Sequence, residues 1–273
     1  MDRAWRERER ARIRRYRLID DTFMSVVFRD KACTQLLIRT VLGRDDLVVV
    51  EVATQEELKN LWGRSVRLDI VARDEAGGLY NIEVQRADAG ASPKRARYNS
   101  SLLDANAAQP GEEYEALAEA YVIFITENDC FGQGCPLYHV ERVVQETGAW
   151  FGDGEHILYV NGQYRGQDPV GKLMHDFFCQ NPEEMNSPVL AQNVHYYKEE
   201  EGGVDYMCRI SEEIWREGRQ KGKMEGKLEG KLEGKAELIR RFMKEQDFSF
   251  SQACDMFGLP QEERTAIEKL IWN

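Results

Sequence analysis

Arg67-Leu-Asp-Ile-Val-Ala-Arg-Asp-Glu-Ala-Gly-Gly-Leu-Tyr-Asn-Ile-Glu-Val-Gln85 decides how the rest of the chain is read. Val66, Leu68, Ile70 and Ala72 alternate with Arg67, Asp69, Val71 and Arg73. After Asp74-Glu-Ala-Gly-Gly78 the alternation resumes, with Tyr80, Ile82 and Val84 on one face and Asn81, Glu83 and Gln85 on the other. Period-two alternation on both sides of an Asp/Gly-rich turn predicts a β-hairpin. A loop centred on Ala76 pairs Arg73 with Leu79 and, further along the strands, Asp69 with Glu83. Directly opposed side chains in an antiparallel pair have Cβ atoms roughly 4.5–5.5 Å apart, and two carboxylates there repel unless something positive lies between them. The plain alternative is a surface hairpin with a solvated polar face. Apolar neighbours on both sides of Asp69, on a strand of central character, favour the first reading.

A divalent cation such as Mg²⁺ suits an opposed pair of carboxylates, because it takes one or two carboxylate ligands and keeps several waters. Gln85 lies on the same face as Glu83, at the edge of that site.

Asp69 followed on the next strand by Glu83-Val-Gln85 resembles the PD-(D/E)XK nuclease superfamily. More narrowly, it is similar to the recombination-promoting nucleases, the Rpn branch also described as PD-(D/E)XK nuclease family transposases. Asp20-Asp-Thr-Phe-Met-Ser-Val-Val-Phe28 is similar to that family's opening D-x-x-F segment, and Lys94-Arg-Ala-Arg-Tyr98 to its helix after the active site. The glycines at every fourth position near the C-terminus also resemble it. The resemblance implies a restriction-endonuclease-like α/β core, αβββαβ with a mixed sheet, followed by a helical C-terminal region. It implies Asp69, Glu83 and the Val84 main-chain carbonyl as ligands of Mg²⁺ or Mn²⁺, with Gln85 beside the attacking water. In the superfamily the third position is usually Lys. A Lys can bring charge to that water, whereas Gln can only orient it by hydrogen bonding.

The chain has 273 residues and 42% hydrophobic content, enough for one α/β domain with an appendage. No apolar run approaches the ~20 residues needed to span a bilayer, and the N-terminus carries no apolar signal-peptide core. Six scattered cysteines form no metal-ligand spacing, so a cytoplasmic protein with reduced thiols is expected. A net charge of −11 argues against generic polyanion binding, so a nuclease needs local basic patches.

Residues 1–17 carry eight arginines against three acids, and read either as a basic arm for phosphates or as a solvated helix. Thr22 to Leu42 reads as one helix, with Asp20 or Asp21 as its N-cap. The other reading brings one of these carboxylates to the metal from outside the hairpin. Leu47–Ala53 reads as a first strand, whose Glu51 is either solvated or a further ligand. Ser92 to Asn106 reads as a helix capped by Ser92 with Pro93 at its first position. Lys94, Arg95 and Arg97 stand in its first turns, where positive charge opposes the helix dipole. Phosphate contact explains their presence, and a merely soluble face is the alternative. Ala120–Thr126 reads as a buried strand, and Leu137–Val144 and His156–Val160 as two more. The four histidines are isolated and none is assigned to chemistry.

Residues 168–215 read as mostly helical, with breaks at Asn181-Pro182 and Glu200-Glu-Gly-Gly203. From Gly222 a Gly-Lys-Leu-Glu-type repeat begins. On a helix it sets Met224, Leu228, Leu232 and Ala236 in one stripe between a lysine column and a glutamate column. A parallel pair of such helices apposes lysines and glutamates on both sides, which predicts a homodimer; a low-complexity spacer is the alternative. Glu237–Lys244, Ser249–Phe257 and Gln261–Ile271 read as helices, with a turn at Gly258-Leu-Pro260. The acidic last helix favours an interaction module over a DNA-reading helix-turn-helix. The expected divisions are an arm at 1–17, a nuclease-like core at 18–165, a helical extension at 166–216, the repeat at 217–237 and a helical module at 238–273.

The residues and the resemblance together predict a metal-dependent DNA endonuclease of low sequence specificity, in recombination or mobile-element activity, with no membrane partner. Lys94, Arg95 and Arg97 are its expected DNA contacts. The rival is a non-catalytic scaffold on a decayed nuclease core, motivated by Gln85 and the acidic net charge.

Overall fold

Helix formation begins at the arginine-rich N-terminus. A computed structural model describes residues 3–58, 65–86 and 88–272. The first helix, α1, spans Arg3–Ile13. Ile13, Leu18 and Ile19 are fully buried, and Arg14 pairs with Glu199, so this stretch is anchored to the body. The single helix expected over Thr22–Leu42 is two: α2 (Asp21–Val27) and α3 (Lys31–Leu42). Asp30 causes the break, because its carboxylate accepts the Cys33 amide at 3.0 Å and starts a new helix. Asp20 occupies the cap position of α2 without bonding as a cap; its carboxylate instead receives the Arg17 amide and Arg86.

Strand β1 (Val49–Leu58) is longer than expected and pairs antiparallel with β2 (Val66–Asp74). β2 pairs antiparallel with β3 (Leu79–Gln85) in the predicted register, from Arg73↔Leu79 to Ile70↔Ile82. The turn between them is held by Asp74, whose Oδ1 accepts the Gly78 amide at 2.8 Å and whose Oδ2 accepts the Tyr80 hydroxyl at 2.6 Å. Helix α4 (Pro93–Ala107) follows, and the Ser92 hydroxyl caps it by accepting the Arg95 amide.

β4 (Ala120–Thr126) lies parallel to β3, and β6 (Glu155–Asn161) parallel to β4. β5 (Leu137–Val140) closes the far edge antiparallel to β6, giving the order β1-β2-β3-β4-β6-β5. This is the mixed sheet of the expected αβββαβ core, enlarged by two strands at one edge. β5 stops at Val140, short of the Val144 expected, and a lone bridge from Val143 to Trp150 continues it. α4 covers one face, packing Ala96, Leu102 and Leu103 against Leu68, Val122, Phe124 and Tyr159. α2 and α3 lie against β1 and β2, and Phe28 stacks on Phe177 of α5 (Pro169–Phe178). β3 is thus covered on both sides, and its residues from Leu79 to Val84 are all buried.

α6 (Pro188–Glu199) and the start of α7 (Glu201–Gln246) complete this part. The predicted break at Glu200–Gly203 shrinks to Glu200, and Gly202 and Gly203 lie inside α7. A side chain at Gly203 would collide with the Tyr196 carbonyl, so glycine lets the two helices meet closely.

The chain divides into two compact units, 1–207 and 208–273. In the second, Ala236 and Ile239 of α7 pack with Ala253 and Cys254 of α8 (Phe250–Met256) and Ile267 of α9 (Gln261–Trp272). The small module therefore begins inside the repeat rather than after it. The repeat itself is helical throughout, with Met224 and Leu228 exposed. No described helix is long and apolar enough to cross a membrane.

Candidate active site

The β2–β3 ladder ends at Ile70↔Ile82, and two carboxylates take over where it stops. The Asp69 amide donates to Oε1 of Glu83 at 3.3 Å, and the Val84 amide donates to Oδ2 of Asp69 at 3.2 Å. Each acid thereby satisfies a main-chain donor of the opposing strand. On the other flank β1 pairs on either side of Asp69, Thr54 with Ile70 and Glu56 with Leu68. Between them Gln55 takes a left-handed φ of 58°. Such a conformation in a non-glycine residue costs on the order of 1 kcal/mol and is characteristic of functional sites.

Glu83 is fully buried. Its Oε1 also accepts the Asn81 amide group at 3.1 Å. Its Oε2 accepts Arg95 at 2.6 Å and the Gln85 amide group at 3.3 Å. Burial pushes the Glu83 carboxyl up from its usual range, while Asn81 and Arg95 pull it back. Asp69 has less support. Burial first, then the Glu83 and Asp21 charges, push its carboxyl up to about 7. Oδ1 of Asp69 meets no donor among the described residues. A fully buried and a partly buried carboxyl share one guanidinium, so the site is short of positive charge.

Helix α4 supplies that guanidinium. Arg95 reaches back across its N-terminal turn, and its Nη1 also donates to Gln85 Oε1 and to the Gly90 carbonyl, both at 3.1 Å. Gly90 leaves room for this arrangement, because a Cβ at this position would lie 2.0 Å from Gln85 Oε1 and push that amide aside. Behind the acids, Asn99 of α4 donates to Asn81 at 3.3 Å and Asn81 donates to Glu83. Asn99 is buried and its own oxygen has no partner among the described residues.

The fold brings Asp69, Glu83, Gln85 and Arg95 together. Val84 joins them through its amide. Arg95 separates from the two cations with which its sequence position groups it: Lys94 and Arg97 are exposed, while Arg95 lies on Glu83. Asp21 acts on both acids through its charge alone, and Glu51 stands exposed on β1 in register with Arg73, away from the pair. Beside Arg95 opens a cleft of about 910 Å³ lined by Arg67, Lys94, Tyr98 and Ser92. Arg67, Asn81 and Asn99 escaped the sequence reading. The first two sit two residues from an acid on the same strand, which is a usable signal, but nothing in the spacing announces Asn99 or the fold-back of Arg95.

Among the described residues, no three His, Cys, Asp or Glu side chains gather closely enough to enclose a metal. The pair nevertheless suits a hard divalent ion: two carboxylates, one bare Asp69 oxygen, and an unmet demand for positive charge.

Residues 29–164, which contain every strand and α4, match the family model described as PD-(D/E)XK nuclease family transposase. No curated protein and no solved structure matches the chain.

Proposed function

Through residues 29–164 the chain belongs to the PD-(D/E)XK nuclease family transposases, and on that premise we propose that it is a divalent-metal-dependent DNA endonuclease. The interlocked Asp69 and Glu83 carry this reading, a partly buried and a fully buried acid on adjacent strands whose carboxyls both stand above their usual range. Asp69, through its bare Oδ1, and Glu83 would hold Mg²⁺ or Mn²⁺, with the Val84 carbonyl as a further ligand. When bound, the ion activates water and stabilises charge on the phosphate under attack. Gln85 orients that water by hydrogen bonding and, being an amide, does not take its proton. Lys94 and Arg97, exposed on α4, hold the phosphate backbone. Backbone contacts carry no sequence information, so cleavage is expected to be weakly specific. Recombination or mobile-element activity is the biological setting that the family suggests.

The test is nicking of supercoiled plasmid with Mg²⁺ against EDTA, with Asp69→Ala alongside. Metal-independent nicking, or undiminished nicking by the variant, would remove Asp69 from this role. One observation favours a non-catalytic DNA-binding scaffold instead: Arg95 already neutralises Glu83, so the fold does not need a metal to pair that charge. Absence of nicking alongside retained DNA binding would select that reading.

The exposed Met224 and Leu228 also support association with a second copy, through parallel pairing of α7.

A further inference from the structure

Arg95 is engaged at both ends of its guanidinium: Nη2 donates to Glu83, one of the two carboxylates that a metal would need, and Nη1 donates to Gln85 and the Gly90 carbonyl. We propose that Arg95 exchanges partners: without metal it stands in for a cation on Glu83, and when a divalent ion takes Glu83 the freed side chain turns into the adjoining cleft and binds a nucleic-acid phosphate. The inference rests on the reading of Asp69 and Glu83 as metal ligands.

Three observations lead to it. Arg95 meets Oε2 of Glu83 at 2.6 Å, so a metal approaching that oxygen must move the guanidinium aside. Charge decides the competition, because one guanidinium brings one positive charge to two carboxyls, whereas a divalent ion matches both. A metal on Glu83 then repels the displaced guanidinium. Finally, the side chain has somewhere to go. It is 38% exposed and itself lines the cleft that also holds Lys94 and Arg67. That cleft lies at the N-terminal turn of a 15-residue helix, where a cation is disfavoured unless an anion accompanies it. A phosphate oxygen supplies the anion and accepts from the fork of the guanidinium.

The consequence is reciprocal linkage: metal strengthens the hold on DNA, and DNA strengthens the hold on metal, by the same factor. In this scheme one side chain reports the loading of the site to the substrate cleft. Lys94 and Arg97, which do not pair with Glu83, bind phosphate whether or not metal is present.

The full-length chain tests this with Ca²⁺ as a probe ion, at pH 8.5, using a short duplex whose binding is followed by fluorescence anisotropy across a range of salt. For the wild type, the log–log salt slope is expected to steepen by about 0.9 when Ca²⁺ replaces EDTA, the signature of one added phosphate contact. For Arg95→Gln the slope stays the same in both. By calorimetry without DNA, Arg95→Gln is expected to bind Ca²⁺ at least three-fold more tightly than the wild type, since its competitor is gone. An unchanged wild-type slope overturns the exchange. So does weaker Ca²⁺ binding by Arg95→Gln, because Arg95 would then be a prop that shapes Glu83 for the metal. If that variant does not fold, Arg95→Met, which also removes the competing charge while keeping the aliphatic stem, carries the same calorimetric comparison. Plasmid nicking by the wild type is scored separately. Nicking with an unchanged slope removes the exchange and spares the nuclease; a steepened slope without nicking does the reverse.

Discussion

The backbone amide of Asp69 donates to the Glu83 carboxylate at 3.3 Å, in a pair that opposes like charges across two strands. The two acids are not equivalent, because Arg95 pairs directly with Glu83 and reaches Asp69 only through its charge. The consequences for stability therefore have opposite signs.

Asp69→Asn is expected to stabilise the metal-free protein at pH 8. The folded-state carboxyl is raised to about 7 from an ordinary value of 3.8, so the folded protein binds this proton more tightly than the unfolded chain. Stability from this group therefore falls as pH rises from about 4 to about 7 and then stays low. The Asn side chain still accepts the Val84 amide without the charge. Thermal unfolding in EDTA is expected to favour the variant by on the order of 1 kcal/mol at pH 8, and by little at pH 4. A difference independent of pH would contradict it.

Glu83→Ala is expected to destabilise, by about 1–3 kcal/mol. Its carboxylate receives Arg95, Asn81, Gln85 and the Asp69 amide, and all four lose their acceptor. The hairpin register alone predicts relief of repulsion for either acid; the Arg95 pair reverses that for Glu83. Chemical denaturation in EDTA checks the sign, and a stabilised variant would show that Arg95 does not compensate Glu83 in solution.

Lys94→Ala/Arg97→Ala is expected to weaken DNA binding equally at all sequences. Each lost phosphate contact lowers the log–log salt slope by about 0.9. The comparison is anisotropy on two unrelated duplexes, and an unchanged slope would assign both residues to plain surface.

Lys198 provides a pH signature away from the acids. It is buried at the end of α6, donates to the Gln180 carbonyl at 2.5 Å and lies over the Phe23 ring. Burial lowers its ammonium from 10.5 to about 8, with Cys179, Asp20 and Glu199 opposing the shift. Between those values the unfolded chain binds more protons, so stability from this group rises with pH across about 8 to 10.5. Lys198→Met is expected to lack that rise; melting temperatures of the two proteins from pH 7.5 to 10.5 decide it, and parallel curves would refute it.

Met224→Gln/Leu228→Gln is expected to weaken self-association without unfolding α7, since both side chains are exposed. Sedimentation at micromolar concentration compares the variant with the full chain. Identical species from both would make this part of the helix a spacer.

The repeat also shows where sequence periodicity stops being sufficient. A four-residue period drifts about 40° per repeat around a helix with about 100° per residue. The stripe of Met224, Leu228, Leu232 and Ala236 therefore does not keep one environment: its first two members are exposed, and Ala236 is buried against α8 and α9. Period alone predicted the stripe, but how much of it another element covers is a tertiary matter.

Local rules carried the hairpin, its register, the Ser92 cap, the apolar β4 and the facing of Asp69 and Glu83, because each depends on alternation or on a turn within a few residues. They also grouped Lys94, Arg95 and Arg97 as equals, since neighbours on a helix start share a chemistry. Tertiary structure alone separated them. α4 packs on the sheet face that carries Glu83, and only the third residue of that helix can reach the buried carboxylate while the others face solvent. Pairing across the sheet surface depends on where a helix lands, and no spacing along the chain encodes that distance.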